Sequence, residues 1–158
     1  MSLNTAKVKT RTVFGIVCSL ARMAFGIQWI MQGGFKITAH FNIAGLFPSI
    51  AGNTDSPHWY KSFIETTAVP YPQLYNILIP WGELLVGIGL VLGLLTLPAL
   101  LAGFFMDINY VLSDMVYIYP TQLAIGMLLI LFRKDTLYWS LDRLADFLKS
   151  RKVTSPNV

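Results

Sequence analysis

Leu74–Leu95 reads LYNILIPWGELLVGIGLVLGLL, and Leu97–Tyr119 reads LPALLAGFFMDINYVLSDMVYIY. Each stretch is almost unbroken in its apolar character. At 1.5 Å per residue, about 20 residues of this kind cross a ~30 Å hydrocarbon layer. The connection at Leu95–Pro98 is so tight that the two helices must be antiparallel neighbours. Pro98 suits the first turn of the second helix, where its missing N–H costs nothing.

Outward from this pair the same character continues. Residues 12–37 form an apolar run too long for a signal-peptide core, containing Arg22 and lacking a small-x-small cleavage motif, so they are read as a retained helix. Residues 121–134 start after Pro120 and stay apolar through Phe132, ahead of Arg133, Lys134 and Asp135. Twelve residues rise only about 18 Å. We therefore expect this helix to continue or bend slightly past Arg133, with the two cations snorkelling to headgroups. In 136–149, Leu137, Leu141, Leu144 and Leu148 recur at helical spacing with Asp142, Arg143, Asp146 and Lys149 elsewhere, the pattern of an amphipathic interfacial helix. Residues 151–158 read as a frayed tail.

Composition agrees. Of 158 residues, 54% are hydrophobic and 13% charged, against a soluble charged share of about 25%. Mean hydropathy is +0.57. A soluble domain of this size could not hide that much apolar surface, so the expected class is an integral membrane protein. The net charge of +4 reflects membrane topology rather than nucleic-acid binding, because the basic residues gather at the two ends. Lys7, Lys9 and Arg11 precede the first helix, and Arg133, Lys134, Arg143, Lys149, Arg151 and Lys152 follow the fourth, against Lys36 and Lys61 between the first two. The expectation is an all-α, antiparallel four-helix transmembrane bundle with a C-terminal amphipathic interfacial helix. It forms one domain over 1–150 with both termini cytoplasmic. The connection 40–72 is then external. In it Ser56-Pro57 before His58, Trp59, Tyr60, Phe63 and Ile64 predicts a short helix with an aromatic face, read first as an interfacial anchor and second as a lid.

An ionisable group inside a bilayer costs a few kcal/mol at least and marks a candidate site. Arg22, Glu83 and Asp107 are each expected near the midplane, facing one another. On the first helix Arg22, Gly26, Trp29, Gly33 and Lys36 share a stripe with Gln32 at its edge. The second carries Asn76, Pro80, Glu83 and Gly87, and the third Gly103, Asp107, Tyr110 and Asp114. This predicts a polar cavity opening outward and ending at the three charges. In it Arg22 would hold a substrate oxygen, Glu83 would exchange protons with Asp107 as second carboxylate, and Trp29 and Tyr110 would stack on a ring. Gln32, Lys36, Asn76 and Asp114 would line it. The competing reading is a structural clamp that fixes helix register.

Other chemistries lack their residues. Cys18 is a lone cysteine in an apolar run, a small buried residue rather than a redox pair. His40 and His58 sit in the external connection, so neither zinc nor haem ligation is expected, and no phosphate loop or dinucleotide fingerprint is present. No covalent cofactor or metal is expected. Redox work would need a diffusible quinone or an electron carrier on a partner.

Arg22-Met-Ala-Phe-Gly26 with Gly33-Gly34-Phe-Lys36, the run Pro80-Trp-Gly-Glu83-Leu-Leu-Val-Gly87, and Asp107-Ile-Asn109-Tyr-Val-Leu-Ser113 resemble the first three helices of the DoxX family of small four-helix membrane proteins. The resemblance implies a bacterial or archaeal plasma-membrane protein in a family that includes DoxD, a subunit of a thiosulfate:quinone oxidoreductase. Family members often carry a neutral residue at the position of Asp107 and glycine at that of Asp114. The function expected is a redox-linked protein binding a quinone or a small oxyanionic or carbonyl compound. The rivals are a scaffold recruiting a soluble oxidoreductase through the cytoplasmic C-terminal helix, and a proton-coupled transporter. The partners expected are lipid, that soluble enzyme and further copies of the chain.

Overall fold

The computed structural model describes residues 2–153, and the side chains of residues 10–150. Helix α1 spans Ser2–Thr38; after a 3-10 turn at Ile43–Leu46 come α2 (Phe47–Gly52), α3 (His58–Thr67), α4 (Pro72–Leu92), α5 (Thr96–Leu112), α6 (Tyr119–Leu131), α7 (Arg133–Thr136) and α8 (Leu141–Val153). No strand occurs among the described residues. By length and composition α1, over Thr10–Thr38, and α4 can each cross a membrane. At 17 and 13 residues, α5 and α6 are shorter apolar helices.

The α1–α4 seam is the most extensive contact in the fold. Small residues make it. A Cβ on Gly87 would lie 2.6 Å from the Gly26 carbonyl oxygen and from Ile30, so only glycine lets the two backbones touch here. Gly26 faces Leu90 and Val91, while Gly33 faces Pro80 and Leu84, which makes the helices antiparallel. Around this seam Phe25, Trp29, Val86, Leu90, Leu100 and Leu129 form the central apolar core.

The end of the bundle that carries the 40–72 connection is capped. Ile43, Ile50, Tyr60, Ile64 and Ala68 pack against Tyr75, Ile79 and Leu112. The Tyr60 hydroxyl donates to the Asn109 carbonyl at 2.9 Å, and the Ser56 hydroxyl to that of Leu112 at 2.7 Å. The α3 helix divides its faces accordingly, with Tyr60 and Ile64 inward and Trp59 and Phe63 exposed. The short helix expected here therefore packs Tyr60 and Ile64 on the end of the bundle and leaves Trp59 and Phe63 on its outer face.

Several expected boundaries shift. The α4 helix stops at Leu92 rather than 95, because Gly93 takes a left-handed C-cap (φ 64°) with its N–H on the Gly89 carbonyl. The α5 helix ends at Leu112 rather than 119, and Asp114 follows in left-handed backbone. The fourth long helix does not continue past Arg133. It closes at Leu131, α7 makes a single short turn, and α8 begins only at Leu141 rather than 136. The physical reason is that the segment between α7 and α8 is pulled onto α1 by side chains. The Ser19 hydroxyl donates to the Thr136 carbonyl and accepts from the Trp139 N–H, both at 3.2 Å. The tail expected from 151 is helical to Val153, and 154–158 lie outside the described residues.

Candidate functional site

Glu83 lies near the middle of α4 and is fully buried. Its Oε1 accepts from two donors, the Lys36 ammonium on α1 and the Tyr110 hydroxyl on α5, the latter at 2.6 Å. Lys36 also donates to the Tyr110 oxygen at 3.1 Å and stands 4.5 Å from that ring's centroid. Tyr110 packs on Tyr119 of α6 with centroids 4.3 Å apart. Three elements therefore converge on one carboxylate oxygen. Lys36–Glu83 is the ion pair of the site, with the lysine partly buried.

This pairing corrects the expected one. Arg22 does not face Glu83 or Asp107. Its Nη1 donates to the Leu90 carbonyl at 2.7 Å and its Nη2 to that of Trp139 at 2.5 Å. The reason is depth. Glu83 is level with Gly33, whereas Arg22 lies one turn on the other side of Gly26, level with the end of α4. Lys36 reaches Glu83 because its four-carbon stem can lean back along the helix.

Around Arg22 a second polar knot forms. The Asp142 carboxylate accepts from the N–H groups of Leu95 and Thr96 at 2.8 and 2.9 Å, capping α5, which has no side-chain cap of its own. The Asp142 N–H returns a bond to the Gly93 carbonyl at 2.9 Å. Burial pushes the Asp142 carboxyl up, but the two backbone donors and the nearby Arg22 charge outweigh it and hold the group below its ordinary range.

A groove of about 280 Å³ opens beside the ion pair on the α1–α4 flank. It is lined by Lys36, Ile37, His40, Phe41, Asn76, Ile77, Pro80 and Trp81. The cap covers the end of the bundle, so this opening is lateral, where the sequence suggested one along the axis. Asn76 lines the groove but spends its side chain on the capping segment, with Oδ1 accepting from the Ile43 N–H at 2.7 Å. Asp114 is exposed beyond the end of α5 and takes no part.

Asp107 is buried, within electrostatic reach of Glu83 and Lys36, and its Oδ1 has no protein partner. Trp29 is sealed in the core against Gly103, its indole N–H unpartnered. Gln32 is half-buried with Oε1 likewise unpartnered. Gln122 on α6, fully buried with both amide atoms unpartnered, was missed by the sequence reading. The signal was present, since a lone amide inside an apolar run is held to the same rule as a lone charge. Among the described residues, no group of three or more His, Cys, Asp or Glu side chains could hold a metal ion.

Neither a curated protein nor a solved structure matches the chain. The DoxX family model matches residues 17–112, more than half of its length. The match contains Lys36, Glu83, Asp107 and Tyr110 and stops short of Gln122, Trp139 and Asp142. The match takes in the quoted segments from Arg22 up to Leu112, and the chain belongs to the DoxX family of membrane proteins.

Proposed function

We propose that α1, α4, α5 and α6 cross the membrane as a four-helix bundle with both termini cytoplasmic. In this reading the groove binds the headgroup of a quinone or a similar small carbonyl compound, and the chain serves as the membrane subunit of a quinone-coupled oxidoreductase. The bias of Lys and Arg toward the ends supports the orientation. Family membership supports the membrane setting.

The observation that carries the reading is the hydrogen-bond inventory of Lys36. An ammonium has three donors. One goes to Glu83 and one to Tyr110, which leaves the third for the groove that Lys36 lines. A carbonyl or oxyanion oxygen is the partner that donor calls for. The walls fit a ring that arrives from lipid, with Phe41, Pro80 and Trp81 flanking the ammonium and Trp81 half exposed on the bundle's flank. A quinone supplies two-electron, two-proton chemistry, its electrons coming here from a soluble partner enzyme. The residues of the chain hold its oxygen through Lys36 and exchange protons at Glu83 Oε1, to which Tyr110 is already bonded. The α8 helix supports such a partner, since Leu141, Leu144, Phe147 and Leu148 are all exposed.

Equilibrium dialysis of a short-chain quinone against the purified protein in mild detergent tests this. Saturable binding is expected, weakened at least tenfold by Lys36→Gln and abolished by Ile77→Trp, which fills the groove. Equal binding by wild type and both folded variants overturns the reading.

A further inference from the structure

Lys36 and Tyr110 occupy one oxygen of Glu83, and the other, Oε2, has no partner. Among the described residues, Arg22 Nε and Thr96 Oγ1 are also unpartnered but lie near the other end of α4, whereas Trp29 Nε1, Gln32 Oε1, Asp107 Oδ1 and both ends of the Gln122 amide form a set with Glu83 Oε2.

Helix register brings these atoms to one level. Across α1–α4, Gly33 faces Glu83. Across α4–α5, Gly82 faces Met106 and Val86 faces Gly103, which sets Glu83 beside the turn holding Asp107. Across α5–α6, Tyr110 stacks on Tyr119, so one turn deeper Asp107 is level with Gln122. Across α1–α6, Phe25 approaches Gly126, so one turn further along Trp29 is level with Gln122. All four long helices thus supply at least one unpartnered polar atom within about one turn of the same plane. Glu83, Asp107, Trp29 and Gln122 are each at most 1% exposed.

The composition of this set of atoms, taken as the lining of one small chamber, specifies what it would hold. Four atoms of this set are oxygens: Gln32 Oε1, Glu83 Oε2, Asp107 Oδ1 and Gln122 Oε1. Hard cations are bound by carboxylate and amide oxygens of this kind. Two carboxylates face the single ammonium of Lys36, and Arg22 is committed to Leu90 and Trp139, so neutrality calls for one further positive charge, a proton or a metal ion. A divalent ion would overshoot it. The indole N–H of Trp29 and the amide N–H of Gln122 cannot face a cation, but they can donate to water oxygens around one. We propose that the chamber holds one small monovalent cation with its water, either an alkali ion or a hydrated proton, and that Glu83 separates this ion from the groove.

The test does not depend on what the groove binds. The titratable groups facing the chamber are Lys36 from α1, Glu83 from α4, Asp107 and Tyr110 from α5 and Tyr119 from α6. Thermal unfolding of the full chain in detergent is followed while sodium or potassium chloride replaces choline chloride at fixed ionic strength, and again across the neutral pH range. An alkali occupant raises Tm saturably with the ion, because binding to the folded state stabilises it by mass action. A proton occupant leaves Tm indifferent to the salts and raises it on acidification. In either case Asp107→Asn removes the response and Gln122→Leu shifts its midpoint at least tenfold, while Ile77→Trp, confined to the groove, keeps it. Wild-type unfolding that ignores both alkali ions and pH overturns the proposal. So does a response unchanged in both Asp107→Asn and Gln122→Leu.

Discussion

Arg22 and Glu83 lie on the same seam between α1 and α4 and do not meet. The guanidinium donates to the Leu90 and Trp139 carbonyls, and the carboxylate is held by Lys36 and Tyr110, with Gly26 and Gly33 between the two levels. Arg22 ties the end of α4 to the segment after α7, and Glu83 lies behind Lys36, which lines the groove.

Arg22→Leu should accordingly damage stability and spare binding. The buried Leu90 carbonyl and the part-buried Trp139 carbonyl lose charge-assisted donors, a cost of about 2–4 kcal/mol. A large fall in Tm is expected, with quinone affinity of the remaining folded fraction within about twofold of wild type. Unchanged stability together with lost binding would return Arg22 to the site.

Lys36 and Glu83 should show coupling in a double-mutant cycle. Lys36→Gln alone leaves a buried carboxylate with Tyr110 as its one remaining donor, and Glu83→Gln alone leaves the ammonium uncompensated. The double variant should therefore be more stable than the two single losses added together, by about 0.5–3 kcal/mol. Strict additivity in denaturant unfolding would show that the pair is not formed.

Gly87→Ala should open the α1–α4 seam. The added methyl would sit 2.6 Å from the Gly26 carbonyl oxygen and from Ile30. Backbone cannot yield as a flexible side chain does, so a loss of at least about 1–3 kcal/mol is expected. Gly34→Ala, where a Cβ meets nothing within 4 Å, is the control and should unfold like wild type.

Asp142→Ala should remove the cap on α5, at about 1–2 kcal/mol. The folded-state carboxyl titrates below its ordinary range. The stability it adds is therefore present above the unfolded carboxylate pKa, about 3.9, and is lost as pH falls through the folded value. Wild-type Tm should drop on acidification through this window, and the variant should lack that component of the drop.

What the sequence made legible was direction, and what it hid was depth. Helical spacing placed Trp29, Gly33 and Lys36 on one stripe, and that stripe does face α4. Depth had been counted from a helix starting at 12, whereas α1 runs from Ser2 and its level against α4 is set by glycine contacts that only the folded pair reveals. Lys36, expected only to line the cavity, pairs with Glu83 because its stem leans back along α1. Asp114 looked aligned with Asp107 and Tyr110 only while α5 was taken to continue past Leu112. The break after Leu131 could not be read locally, because Ser19 and Arg22 cause it from the far end of the chain.

That last contact, spanning 117 positions, also bears on the order of synthesis. The α1 helix is made before either acceptor of its guanidinium, since Leu90 arrives with α4 and Trp139 only after α7. A chain cut short between Leu90 and Trp139 would offer Arg22 one of its two acceptors. Its hydrogen bonds close only when both ends of this span are present.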